Sequence, residues 1–257
     1  MKRRPQYDTL PPMEGVRRKI AGSAAIAQAL VRGEALRLIV VDGEGSAAEA
    51  QALAAPAREA GVPLQTVGTR HFERLRPPGG PGGAVALVGP GTARNAADVL
   101  ARPGPTWLLQ GIVYPGNAGM AIRSAEVSGA AGIFIDAEFD HAKRREALPA
   151  SMRADRFLPV LWSPAEEILP AARASGRRVI ALEDTGDAAP WEADLTGPAL
   201  FVVGGEHSGV SAAVLRDCDA VVRIPMQGFI RSYNLQAAVA ITAAERLRQE
   251  AVAGEGT

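Results

Sequence analysis

Short apolar runs alternate with alanine-rich stretches along the whole of this chain, and that rhythm leaves few folds open. The runs are "LRLIVV" (36–41), "PLQTV" (63–67), "AVALV" (84–88), "WLLQ" (107–110), "GIFI" (132–135), "LPVLW" (158–162), "RVIAL" (178–182), "ALFVV" (199–203) and "AVVRI" (220–224). Most lack the in–out polar alternation of a half-solvated strand. Such strands are covered on both faces, which predicts an α/β chain with a parallel sheet and helices on either side. Pro and Gly punctuate the series at "RPPGGPGG" (76–83) and "ARPGPT" (101–106). The second is the better boundary, because a new strand–helix series starts right after it. The expected organisation is a basic tail over 1–14, a small α/β domain over 15–98, a linker over 99–105 and a larger domain over 106–257.

Composition removes several classes. Lys and Arg number 28 against 28 Asp and Glu, so no global positive field points to nucleic acid. Charge is nevertheless uneven. Residues 1–19 hold Lys2, Arg3, Arg4, Arg17, Arg18 and Lys19 against Asp8 and Glu14. The loop-like segment 141–156 holds Lys143, Arg144, Arg145, Arg153 and Arg156 against Glu146 and Asp155. For either run alone, a solvated surface is the preferred reading. Cys218 is the only cysteine, which excludes disulfides within the chain, argues against a cysteine metal cluster and suggests a small core residue. No apolar run reaches the roughly 18 residues of a membrane span. The charged N-terminus has no apolar core behind it, so a signal peptide is not expected, and the expected location is the cytoplasm.

Three loops follow strands of the second domain. In "WLLQGIVYPGNAGMAIRSAE", Tyr114-Pro115-Gly116 reads as a turn and Asn117 as the N-cap of a helix from Ala118. Gly119 and Arg123 share a helix face. Either Gly119 clears room beside the Arg123 guanidinium, or it merely permits close packing and Arg123 is a surface charge. In "ALFVVGGEHSGVS", Gly204-Gly205 precede Glu206, and Ser211 is a plausible cap. A glycine pair after a strand lets the backbone approach a ligand or turn tightly. The G-x-G-x-x-G spacing, a P-loop Gly-Lys-Ser/Thr and a G-x-S-x-G elbow are all missing. In "RIPMQGFIRSYNLQAAVAI", a polar knot of Gln227, Arg231, Ser232, Tyr233 and Asn234 opens a helix whose residues Ala237 to Ile241 lack polar side chains. Such a helix is expected to be buried. Ligands of open parallel sheets bind outside the carboxyl ends of strands, so the three loops are expected to meet there.

The residues "NAGMAIRSAE", "VVGGEHSGVS" and "IPMQGFIRSYNLQAAVA" resemble, in order, the three motifs of the SpoU/TrmH branch of the SPOUT RNA methyltransferases. The resemblance covers 106–257. The first domain resembles the L30e-like substrate-binding extension frequent in that family. The resemblance implies a C-terminal trefoil knot, an S-adenosylmethionine pocket formed by it, a homodimer, no metal and no membrane. It implies methylation of a ribose 2′-hydroxyl in structured RNA, ribosomal RNA before transfer RNA. Carried over by position, Arg123 acts on the 2′-hydroxyl, Asn117 helps form that site and Glu206 supports the loops. Gly204, Gly205, Ile224 and Tyr233 line the cofactor pocket, Met226 and Gly228 shape it, and Ser232 and Asn234 close it. The chain departs from the family at Tyr233, where leucine is usual, and at Leu235-Gln236, where a valine–serine pair is common. Ser151 and Arg153 match only loosely. The alternative is an RNA-binding chain of this fold without catalysis, against which the intact Asn117, Arg123, Glu206, Ser232 and Asn234 argue.

Overall fold

A computed structural model describes residues 17–89 and 93–254. The tail expected over 1–14 lies outside them. The chain divides into two compact units, residues 1–91 and 92–257.

The first unit holds β1 (Arg18–Ala21), α1 (Ser23–Val31), β2 (Leu36–Asp42), α2 (Ala47–Glu59), β3 (Leu64–Val67), α3 (Thr69–Leu75) and β4 (Ala84–Val88). Its sheet runs in the order β1-β4-β2-β3. β2 and β3 are parallel, but β4 is antiparallel to both β1 and β2, so this sheet is mixed rather than parallel as expected. β1 was not legible, because "RKIA" is short and buries little besides Ile20. One face of the sheet packs Ile39, Val41 and Ala84 against Ile26 and Leu53 of α1 and α2. On the other face, Phe72 of α3 covers Val40 and Val85.

The second unit holds α4 (Ala96–Leu100), β5 (Thr106–Gln110), α5 (Pro115–Val127), β6 (Gly132–Asp136), α6 (His141–Ala150), β7 (Val160–Trp162), α7 (Ala165–Ala174), β8 (Arg178–Leu182), β9 (Ala199–Gly204), α8 (Ala212–Arg216), β10 (Ala220–Val222) and α9 (Leu235–Gly254). All its strand pairings are parallel, in the order β10-β8-β9-β5-β6-β7. Successive strand residues feed opposite layers. Trp107, Leu109, Ile133, Ile135, Phe201 and Val203 pack in one layer with α5 and α9, while Leu108, Phe134, Val179, Ala181, Leu200 and Val202 pack in the other with α4 and α7. This is the doubly covered sheet that the unbroken apolar runs predict.

The two units divide at 91/92 rather than across the expected linker at 99–105, and the reason is local. Val99 and Leu100 of α4 are buried in the second unit's core. The adjoining segment is tied down by Arg177, which is only 4% exposed. Its guanidinium donates to the carbonyls of Leu100, Arg102 and Gly104. Pro and Gly there mark a pinned turn inside the unit. The basic stretch read as a loop is also different, since Lys143, Arg144 and Arg145 lie in α6, capped by the Asp140 carboxylate. Cys218 is half-buried beside the second layer, and burial pushes its thiol up to about 11. Among the described residues no helix is long and apolar enough to cross a membrane.

Candidate functional site

β5 leads to β6 and β7 on one side, and β9 lies on the other. The crevice where strand order reverses is where open α/β sheets bind ligands. Here it is bounded by the loops after β5 and β9. The β9 loop is folded so tightly that two glycines are obligatory. A Cβ on Gly204 would collide with the Gly209–Val210 backbone, and one on Gly205 with the Gly111 carbonyl. The glycine pair therefore serves backbone-on-backbone packing, and the space it keeps open is filled by the loop itself rather than by a ligand. Gly209 has φ +61°, and Glu183 stands where its Cβ would be.

Glu206, at the tip of this fold-back, gathers the loops. One carboxylate oxygen accepts the Val113 amide at 3.0 Å, and the other accepts Asn117 Nδ2 at 2.5 Å. Asn234 Nδ2 donates to Asn117 Oδ1 at 3.0 Å, while Asn234 Oδ1 accepts the Gln236 amide at 2.9 Å at the start of α9. All three expected loops are thus joined by one hydrogen-bonded relay. Burial works against the Glu206 charge, but bonds from Asn117 and the backbone amides outweigh it and hold the carboxyl below its usual range. Asn117 is not the cap expected of it. α5 begins at Pro115 with Tyr114 as N-cap, which leaves the Asn117 side chain free for Glu206 and Asn234. Tyr114 and His207 meet edge-on beside this relay, ring centroids 6.0 Å apart.

Next to the relay lies a cavity of about 310 Å³. Of the expected cofactor residues, Gly204, Gly205, Ile224, Met226, Tyr233 and Asn234 line it, as do Ser232 and Glu206. Gly228 does not. It stands in the open part of the loop, where a Cβ would meet only the Ile230 carbonyl at 3.9 Å. Arg123 is not brought there either. It is exposed and lines a second cavity, between α5 and α9, with Met120, Val127, Gln236, Ala240 and Leu247. Nor does Gly119 make room for it. A Cβ at Gly119 would strike the Ala147 carbonyl and Ala150, so this glycine lets α6 dock on α5. Gln236, at one of the departures, donates to Ser124 Oγ at 3.1 Å and ties α9 to α5.

Sequence reasoning missed Glu183 and Asp184, which also line the 310 Å³ cavity. Glu183 accepts the Val210 amide at 2.7 Å and so joins the β8 loop to the β9 loop. The available signal was an acidic pair directly after a strand, much as Glu206 follows β9 two residues on. With Glu183, Asp184 and Glu206 against Arg231, the charged lining favours a cationic ligand.

The sequence profile of the SpoU rRNA Methylase family matches residues 106–244. The chain belongs to that family. This SpoU family member is 35% identical over 142 residues to an uncharacterized tRNA/rRNA methyltransferase of Mycobacterium sp. (strain KMS), a match covering 55% of this chain and 45% of that relative. The chain thus spans less than half the length of that curated relative. It is 28% identical to the 23S rRNA (guanosine-2′-O-)-methyltransferase RlmB of Pseudomonas syringae pv. tomato, over 65% of this chain and 70% of that one. The SpoU methyltransferase AviRb from Streptomyces viridochromogenes superposes with TM-score 0.60 at 25% identity, covering 92% of this chain and 91% of AviRb. AviRb has also been solved in complex with the cofactor AdoMet.

Proposed function

We propose that this SpoU family member transfers a methyl group from S-adenosylmethionine to a ribose 2′-hydroxyl of structured RNA, ribosomal RNA first. The observation that carries the reading is the relay from Val113 through Glu206 and Asn117 to Asn234, set beside a pocket rich in carboxylates. That pocket fits the cofactor, since its carboxylates suit a ligand bearing a sulfonium and an ammonium and its walls include Leu182, Val203 and Ile224 for an apolar ring face. When bound, S-adenosylmethionine supplies an electrophilic methyl carbon that needs no metal to activate it. The names of RlmB and of the AviRb complex support the 2′-oxygen as acceptor and the cofactor as donor.

The chain's own residues would then position and polarise. Gly204, Gly205 and the Glu183 bond hold the loop backbone at the pocket. Ionised Glu206 keeps the three loops in register, so Ser232, Tyr233 and Asn234 form the last wall. Arg123 would act by holding the phosphate beside the target and stabilising charge that develops on the 2′-oxygen, while water or another group takes the hydroxyl proton. It would do so for a second copy of the chain. The cavity between α5 and α9 exposes Met120 and Val127, an apolar surface suited to an isologous homodimer. We propose also that the path from β9 to α9 forms the trefoil knot and that the first unit is the L30e-like RNA-binding domain. The test is calorimetric titration with S-adenosylmethionine, followed by mapping of 2′-O-methyl sites in total RNA with and without the protein. Absence of cofactor binding, or identical methylation maps, would overturn the reading.

A further inference from the structure

α6 carries a cationic and aromatic cluster that the proposed chemistry does not use. A cavity of about 400 Å³ is lined by His141, Arg144, Arg145, Leu148 and Trp162. Arg144 Nε donates to the Phe139 carbonyl at 3.0 Å, which holds the guanidinium over the Trp162 ring, 4.9 Å from its centroid. Phe139 buttresses the same ring at 5.6 Å and carries the Lys143 ammonium 5.8 Å from its own centroid. Among the described residues none of Lys143, Arg144 and Arg145 is paired with a carboxylate. The lining itself has no carboxylate either. Asp140 is engaged in capping α6, and Glu138 and Glu146 lie outside the cavity.

A lining that offers donors, a positive charge and an indole, and no anionic acceptor, suits a ligand that is anionic and flat. A nucleotide is both. Position supports the same occupant. Trp162 ends β7 and Phe139 follows β6, on the carboxyl edge that also holds the relay. β7 is three strands from β9, about 15 Å at ordinary strand spacing. We propose that Trp162, Arg144, Arg145 and His141 form a docking platform for single-stranded nucleotides next to the methylated one, with bases meeting the aromatic cluster and phosphates the cations. This rests on the RNA reading above and adds to it where the chain grips.

The test uses the full chain with Trp191→Phe, which leaves buried Trp107 and partly exposed Trp162 as emitters. A mixed-sequence single-stranded oligoribonucleotide is expected to quench Trp162, and polyglutamate is not. His141→Ala with Arg145→Ala, both exposed positions, is expected to weaken oligoribonucleotide binding about five- to a hundredfold, and Trp162→Leu by a similar factor. S-Adenosylmethionine affinity should stay at the wild-type value in all variants. Unchanged RNA affinity in the His141/Arg145 variant, or equal quenching by polyglutamate, would overturn the platform while cofactor binding leaves the methyltransferase reading standing. Wild-type protein that binds neither cofactor nor RNA removes both.

Discussion

At the residue scale, Glu206 and the glycines before it matter through what they hold in place. Gly204→Val would drive a side chain into the Gly209–Val210 backbone, so the loop must move and take the pocket wall with it. Cofactor affinity is expected to fall at least about tenfold, with a loss of stability of the 1–3 kcal/mol order of an overpacked site; calorimetry and thermal melting measure both, and wild-type affinity would refute the packing account. Glu206 titrates below the ordinary carboxylate range, so the unfolded chain takes up its proton first as pH falls. Its stabilising contribution is therefore complete above the unfolded value of about 4.3 and is lost below it. Glu206→Gln should flatten the acid limb of the stability curve and weaken the tie to Asn117, which melting from neutral to acid pH would reveal. Arg123→Ala should cut methyl transfer by about a hundred- to a thousandfold while cofactor binding persists. Near-normal transfer measured with radiolabelled cofactor would remove Arg123 from the chemistry.

At the scale of elements, α4 departs from the sequence reading for a physical reason, and α9 leaves part of its apolar face open. α4 looks like the end of a domain because Pro and Gly follow it, yet Val99 and Leu100 complete the second unit's core and Arg177 pins the turn. A fragment beginning at residue 93 should therefore be more stable than one beginning at 106. Each lost apolar side chain is worth about 1.5–3 kcal/mol, so the gap is expected near 3–6 kcal/mol. Urea unfolding of the two fragments measures it, and equal midpoints would restore the boundary read from sequence. α9 was expected to be buried in the knot or in a dimer interface; within one chain Leu235, Val239, Thr242 and Ala243 of its apolar half are covered, and Ala237, Ala240 and Ile241 are partly open.

At the scale of the molecule, Ala240 of α9 and Arg123 share one groove, separate from the pocket that holds Glu206. If two copies meet across that groove, each Arg123 serves its partner's pocket. Two inactive proteins, Arg123→Ala and Gly204→Val, should then complement each other when unfolded together and refolded as a mixture. Random pairing around a two-fold axis leaves about a quarter of the sites intact, so activity should recover to that fraction. No recovery, with dimers confirmed by mass measurement, would mean that each site is built within one chain.

The strands of the second unit, their parallel direction and the convergence of three loops could be read from the sequence, because hydrophobic periodicity and loop chemistry are local properties that burial acts on directly. The residues named for the pocket mostly line it, for the same reason: they follow strand ends that the sheet must bring to one edge. What local pattern does not encode is which backbone a glycine touches and which partner a polar side chain finds. Gly119 reads equally as clearance for Arg123 or as a close-packing site until α6 is seen against it, and Asn117 reads as a cap until Glu206, 89 positions away, accepts its amide. β4 runs antiparallel, Glu183 joins two loops and Arg177 holds a turn because strand order sets residues distant in the chain side by side. Those contacts exist only after the sheet has formed, which is why the tertiary structure alone decided them.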